Sequence, residues 1–202
     1  MDVRRLRGAM VTGEARPREP EGTGHAVNGP HALLERIPLA IRMGFYSFFF
    51  LGLVLVALPW LCYRLDVALP AWHMEIGWWR LAGVPVFLGF LAAYVYCSYE
   101  LTSRGRGAYV EFDPPSKFVA EGPYRWVRNP VAACVVGMVL GEAVAFSSTG
   151  IFLLFLSGIP LAHLQVVFIE EPRLRKRFGP TYEEYLHRVP RWIPRRPGKG
   201  PA

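Results

Sequence analysis

The stretch Phe45-Tyr-Ser-Phe-Phe-Phe-Leu-Gly-Leu-Val-Leu-Val-Ala-Leu-Pro-Trp-Leu-Cys-Tyr63 contains no charged residue. As a helix it would be about 28 Å long, close to the roughly 30 Å of a hydrocarbon core. It therefore predicts a membrane span, with Pro59 as the site of a kink. A second uncharged block, Leu81–Tyr99, comes next. Trp78 and Trp79 precede it, and Tyr94, Tyr96 and Tyr99 close it, a placement that suits amphipathic rings at a membrane interface. Two more blocks, Pro130–Phe146 and Ile151–Ile169, flank Ser147-Ser-Thr-Gly150, which reads as a tight turn. These two blocks are expected to form a helical hairpin. The predicted fold class is an all-α integral membrane protein of about four transmembrane helices, spanning 45–63, 81–99, 130–146 and 151–169 within a domain of 41–195. Residues 1–40, rich in Arg, Glu, Gly and Pro, read as a disordered basic tail with a short helix around Leu33–Ile37. Residues 196–202 read as a second disordered tail.

Composition agrees. Of 202 residues, 52% are hydrophobic and only 19% charged, yet the net charge is +7. That apolar share excludes a disordered chain, and three cysteines exclude a disulfide scaffold. The basic residues sort by segment. Seven Lys and Arg precede the first span, five lie between the second and third, and nine follow the fourth. Only Arg64 and Arg80 fall on the other side, at span edges where they can snorkel. The positive-inside rule then places the chain in a cytoplasmic (inner or plasma) membrane as a multi-pass protein with both termini cytoplasmic. The charge follows topology and no basic-aromatic recognition motif occurs, so nucleic acid is not an expected partner.

Cys62, Cys97 and Cys134 lie in or at spans, with no neighbouring Cys or His at ligand spacing, so packing roles and no metal site are expected. Glu142 and His163 are ionisable groups inside apolar spans, where such groups face the bundle interior or reach the interface. Glu121-Gly-Pro-Tyr-Arg-Trp-Val-Arg-Asn-Pro130 leads into the third span. Asn129 and Pro130 suit the N-cap and first helical position. A helix N-terminus there also offers free N–H groups to an anion, and Arg128 adds a fork that matches a carboxylate. The fourth span ends in Glu170-Glu171-Pro172, two acids at a membrane boundary. Beyond them, Thr181 and Glu184 have capping-box spacing, and Phe178, Tyr182, Tyr185 and Val189 share a helical face.

From Ser103 to Pro194 the chain resembles the small integral-membrane methyltransferases that include isoprenylcysteine carboxyl methyltransferase and phosphatidylethanolamine N-methyltransferase. The resemblance rests on an ordered set. Gly105-x-Gly107 comes first, then Gly122-Pro-Tyr-x-x-x-Arg-Asn-Pro130, the hairpin and Glu170-Glu171. Phe178-Gly-x-x-Tyr182-x-x-Tyr185 and Val189-Pro-Arg-Trp-x-Pro194 complete it. It implies a cytoplasm-facing pocket for S-adenosylmethionine, closed by the C-terminal segment and open toward the lipid for an amphiphilic or lipid methyl acceptor. Carried over by position, the resemblance assigns the cofactor to Gly105, Gly107, Tyr124, Arg128, Asn129, Pro130, Glu170, Glu171, Tyr182 and Tyr185. Arg128, Glu171 and His163 are the catalytic candidates. The chain departs from the pattern at Asn129, where many relatives carry His, at Ala132 and Ala133, where bulkier residues are common, and at Ala108-Tyr109. These departures bear on the acceptor more than on the donor.

The residue types suit the chemistry. The acids can hold an ammonium or ribose hydroxyls, and Arg128 with the helix N-terminus can hold a carboxylate. In-line methyl transfer gains most from positioning. A carboxylate acceptor needs no base, whereas an amine acceptor needs one, with His163 or a free Glu as candidates. The rival readings are an NADPH-dependent membrane reductase acting on a sterol or isoprenoid, and a non-catalytic membrane scaffold.

Overall fold

A computed structural model describes residues 38–69, 74–105 and 117–194. The tails, the Leu33–Ile37 helix and Gly107 lie outside the described residues.

Two prolines shape the long helices. Helix α1 (Leu39–Gly52) runs through a π-helical turn, Leu53–Ala57, into α2 (Leu58–Ala68) without a break. Pro59 lacks an N–H, and in an α-helix its ring would strike the carbonyl of Leu55. The π-turn loosens this stretch, and the Leu58 N–H reaches back five residues to the Leu53 carbonyl. The same device recurs downstream. Helix α5 (Thr149–Gln165) passes through a π-turn, Val166–Glu170, into α6 (Glu171–Phe178), two residues before Pro172. There the Glu171 N–H bonds the Val166 carbonyl. One extra residue rotates the downstream helix by about 100° relative to an unbroken α-helix. The facing of Glu170 and Glu171 is therefore set by that turn.

Among the described residues there is no strand, and three helices are long and apolar enough to cross a membrane: Gly44–Ala68, Gly77–Gly105 and Thr149–Phe178. The second consists of a 3₁₀ turn, Gly77–Ala82, leading into α3 (Gly83–Gly105). Their outer faces carry Phe45, Phe48, Phe49, Leu88, Leu161 and Phe168, all exposed, as lipid-facing side chains would be. The remaining expected span, α4 (Pro130–Phe146), is a shorter apolar helix of 17 residues. It is the core of the bundle, with nine residues buried.

Small residues let α4 and α3 approach closely. A Cβ on Gly83 would stand 2.3 Å from the Ala145 nitrogen, and one on Gly141 2.7 Å from the Phe87 nitrogen. Gly137-x-x-x-Gly141-x-x-x-Ala145 is thus a small-residue stripe, of the kind that brings helices together where lipid removes the hydrophobic drive. The sequence reading passed over it. The thiols of Cys97 and Cys134 also meet across this interface, although the two residues are far apart in sequence.

The hairpin between α4 and α5 is tighter than the four residues expected. Helix α4 closes in a Schellman arrangement, Ser148 N–H to the Ala143 carbonyl and Ser147 N–H to Val144, with Ser147 left-handed at φ 51°. Ser148 then caps α5 by accepting from the Ile151 N–H at 3.1 Å. Buried Asp66, at the end of α2, locks the turn. Its carboxylate accepts the Ser148 hydroxyl at 2.5 Å and the Gly150 N–H at 2.9 Å.

The expected capping box at Thr181 is not formed. Helix α7 (Pro180–Arg188) starts two residues earlier than a Thr181 cap would place it, because Pro180 takes the first helical position and Gly179 (φ 52°) precedes it. Glu184 pairs with Arg188 instead.

Candidate functional site

At the end of the bundle where α4 begins, the chain approaches through a 3₁₀ turn, Gly122–Arg125. Gly122 has φ +57°, and a Cβ there would stand 3.1 Å from a Glu100 carboxylate oxygen, so glycine is required. Arg104 bridges Glu100 and Glu121, tying this turn to the end of α3. Tyr124 is buried and its hydroxyl donates to the Cys97 carbonyl at 3.4 Å. Pro130 opens α4 as expected, but Asn129 does not cap it through its side chain. The Asn129 side-chain nitrogen and Arg128 Nε are both buried without a hydrogen-bond partner among the described residues.

Glu171 is the hub. Its Oε1 receives Arg128 Nη1 at 3.0 Å and Arg191 Nε at 2.8 Å, and its Oε2 receives Arg191 Nη2 at 3.1 Å. The Glu171 and Arg128 side chains are 5% and 11% exposed. Such a pair persists only when its hydrogen bonds are well made. The hydrogen bond to Glu171 holds the Arg191 guanidinium above its ordinary pKa. Glu170, beside it, is partly buried and has no partner among the described residues.

The C-terminal segment is fastened to this hub at several points. The Arg128 N–H donates to the Pro190 carbonyl at 3.0 Å, and the Tyr185 hydroxyl to the Tyr124 carbonyl at 2.7 Å. Tyr182 and Tyr185 on α7 are buried with Val189 just past its end, and Phe178 packs beside them from α6, so the four residues cluster as expected but from two helices and a cap rather than one helical face. Phe118 stands edge-on to both tyrosines, with ring centroids 5.6 Å and 5.0 Å away. Burial, with Glu171 nearby, pushes the Tyr182 hydroxyl up to about 12, so it stays a neutral donor. Trp192 donates from its indole nitrogen to His163 Nδ1 at 3.1 Å.

The structure therefore gathers most of the sequence candidates at one end. Arg128, Asn129, Pro130, Glu170 and Glu171 lie together, with Tyr124, Tyr182 and Tyr185 around them. Gly105 is the buried last residue of α3, and its carbonyl accepts the Lys117 N–H at 3.0 Å. His163 lies on an exposed face of α5 and joins the group through Trp192. Sequence reasoning missed Arg191, Trp192 and Phe118. The first two stood in the quoted Val-Pro-Arg-Trp run, where an Arg after a helix-ending proline was a usable signal. Phe118 sits in a loop with no periodic partner to mark it. Glu142, expected inside or at the edge of the bundle, is buried at the far part of α4, with Oε2 lacking a partner among the described residues. An open cleft of about 530 Å³, walled by Tyr63, Trp78, Arg80 and Phe146, lies at the opposite end from the Glu171 hub.

The sequence model of the phospholipid methyltransferase family matches residues 79–181, just over half of the chain. The chain belongs to that family. The family match takes in α3, the Gly122 turn, α4, α5 and α6, and so covers Gly105, Arg128, Asn129, Pro130, His163, Glu170 and Glu171. It stops at Thr181, before Tyr182, Tyr185 and Arg191, and it begins after the helix Gly44–Ala68. Among curated proteins, no sequence matches the chain. The membrane methyltransferase expectation holds at the level of the family. The match supports neither the NADPH-reductase nor the scaffold reading.

Proposed function

We propose that this protein is a membrane enzyme that moves a methyl group from S-adenosylmethionine to an amphiphilic, phospholipid-like acceptor. The observation that carries the reading is local. Within the family match, two buried nitrogen donors without partners, Arg128 Nε and Asn129 Nδ2, adjoin the α4 N-terminus. One residue from the Arg128–Glu171 pair stands the unpartnered Glu170 carboxylate. This donor set fits a zwitterion. The nitrogens and the first free N–H groups of α4 suit a carboxylate, and Glu170 suits an ammonium.

S-adenosylmethionine, when bound, supplies a methyl group on a sulfonium sulfur. The chain's own work is positioning. Glu171 is held by two guanidinium groups, so its role is to fix Arg128 rather than to meet a ligand alone. Arg191 and the Pro190 carbonyl close the C-terminal segment over α4, and the aromatic cluster of Phe118, Tyr182 and Tyr185 excludes water from that side. His163 Nδ1 accepts a proton donor from Trp192, so Nε2 would carry the ring proton of a neutral imidazole. An amine acceptor would require a base, Glu170 or a His163 released from Trp192, and a carboxylate acceptor would require neither.

The proposed topology is four spans with α4 as the short central one and both termini cytoplasmic. It is supported by the distribution of Lys and Arg among segments. The reading is tested by equilibrium binding of S-adenosylmethionine to the detergent-purified protein, followed by transfer of labelled methyl to total membrane lipids. Saturable binding and a labelled lipid are expected, and absence of binding overturns it.

A further inference from the structure

The apolar run of the last long helix ends at Ile169, yet the helix continues without a break to Phe178. Its 30 residues span about 45 Å, some 15 Å more than a hydrocarbon core. With no loop between them, α6 stands at a fixed height above the membrane boundary. Its first two turns fall within the headgroup layer, about 6 Å deep on each side, or within side-chain reach of it.

The facing of α6 is fixed by packing. Leu174 and Phe178 pack into the Tyr182–Tyr185 cluster, and Glu171 turns to Arg128 and Arg191. At 100° per residue, these three share one side. Arg173 and Lys176 then occupy the other side, with Arg177 at its edge about 60° from Leu174, and all three are exposed. The acids around α6 are already engaged: Glu171 by the two arginines, Glu183 by Arg175, and Glu184 by Arg188. Glu170, without a partner, lies six and seven residues back from Lys176 and Arg177, about 10 Å along the axis. Lys176 has no acidic partner among the described residues. Arg177 lies over the Phe178 ring at 5.9 Å and likewise meets no acid there.

Helix direction completes the argument. Side chains of an α-helix tilt toward its N-terminus. This helix leaves the membrane C-terminus first, so the tilt aims these cations back toward the bilayer surface. On the neighbouring loop, Arg125 lies over Trp126, whose ring is partly exposed. Basic groups just outside a span attract anionic lipid, and aromatic rings suit the same layer.

We propose that the outward face of α6, centred on Lys176 and Arg177, is a binding site for the headgroup of an anionic phospholipid, separate from the methyl-transfer site. The proposal does not rest on the methyl-transfer reading. The full chain is reconstituted in phosphatidylcholine vesicles carrying trace spin-labelled phosphatidylglycerol or spin-labelled phosphatidylcholine, and the motionally restricted fraction of each is measured. Phosphatidylglycerol is expected to be enriched at the protein. The association should weaken by roughly fivefold per cation removed in Lys176→Gln and Arg177→Gln. Lys176→Arg with Arg177→Lys should restore it, and 0.5 M NaCl should suppress it. Equal restriction of both lipids by the native protein, or unchanged enrichment in the double Gln variant, overturns the proposal. Glycerol phosphate should compete no better than NaCl of the same ionic strength. Stronger competition would assign the face to a free phosphate instead and overturn the lipid-surface reading.

Discussion

Arg191 grips both carboxylate oxygens of Glu171, with Nε 2.8 Å from Oε1 and Nη2 3.1 Å from Oε2, while Arg128 reaches the same Oε1 from the start of α4. Three segments distant in sequence meet at one buried acid. Removing that acid leaves two guanidinium groups facing each other. Glu171→Ala is therefore expected to cost about 3 kcal/mol or more, the usual consequence of breaking a buried pair. Arg191→Lys keeps the charge and loses the two-point grip, so its loss should be smaller. Thermal unfolding in detergent checks the order. If Glu171→Ala melts with the native protein, the hub has no structural weight.

Glycine positions on the α3–α4 interface should rank by what a Cβ would meet. At Gly83 and Gly141 the obstacle is backbone, at 2.3 Å and 2.7 Å, and backbone cannot swing aside. At Gly137 it is the Phe90 ring at 2.6 Å, a side chain that can. At Gly89 and Gly158 nothing lies within 4 Å. Alanine at Gly83 or Gly141 should sharply lower the yield of monodisperse protein. Gly137→Ala should lie between, and Gly89→Ala and Gly158→Ala should match the native protein in size-exclusion profiles.

Apolar blocks were legible because lipid imposes a length and excludes charge, and both constraints show in a run such as 45–63. Pro130 was legible as a helix start because its missing N–H is harmless only there. The π-turns were not. Pro59 announced a kink, but whether the chain kinks or inserts a residue depends on how neighbouring carbonyls are satisfied. Turn lengths failed for a related reason. Ser147 adopts a left-handed conformation with no glycine to advertise it, and the lock on the hairpin comes from Asp66, more than eighty residues away. Within the site, Glu170 and Glu171 read alike in sequence, and only tertiary contacts make one a hub and leave the other without a partner.

Asp66 offers a test of that lock. It satisfies the Ser148 hydroxyl and the Gly150 N–H at a turn where Ser148 is fully buried. Asp66→Ala strands both donors, at a cost of about 2 kcal/mol. Asp66→Asn retains one acceptor oxygen and should lose less. Unfolding midpoints of the two variants report the difference. The lock would be redundant if Asp66→Ala were as stable as Asp66→Asn.

The Tyr185 hydroxyl donates to the Tyr124 carbonyl from a buried position, and this bond joins the C-terminal segment to the turn before α4. Tyr185→Phe keeps the ring against Phe118 but leaves that carbonyl short of a donor, a loss of about 1 kcal/mol. The effect should concentrate at the tail. Limited proteolysis should cut the variant faster after 180, with the rate of cleavage elsewhere unchanged. A uniform change along the chain would assign the bond to global stability instead.

The two adjacent acids should separate binding from folding. Glu170 has no partner among the described residues, so Glu170→Gln removes charge without breaking a contact, and its melting temperature should stay native. If Glu170 meets the ammonium of the donor, the same change should weaken S-adenosylmethionine binding by about tenfold, the loss of one charge-assisted hydrogen bond. Glu171→Gln should behave differently. It removes the charge that holds Arg128 and Arg191 and the Oε2 bond to Arg191, so binding and stability should fall in step. Calorimetric titration and thermal unfolding on the same two preparations compare them directly. Native affinity in Glu170→Gln would remove Glu170 from the site while leaving the Glu171 hub intact. Weakened binding with unchanged melting would place the ligand's cation beside Glu170, because no folding defect could then explain the loss.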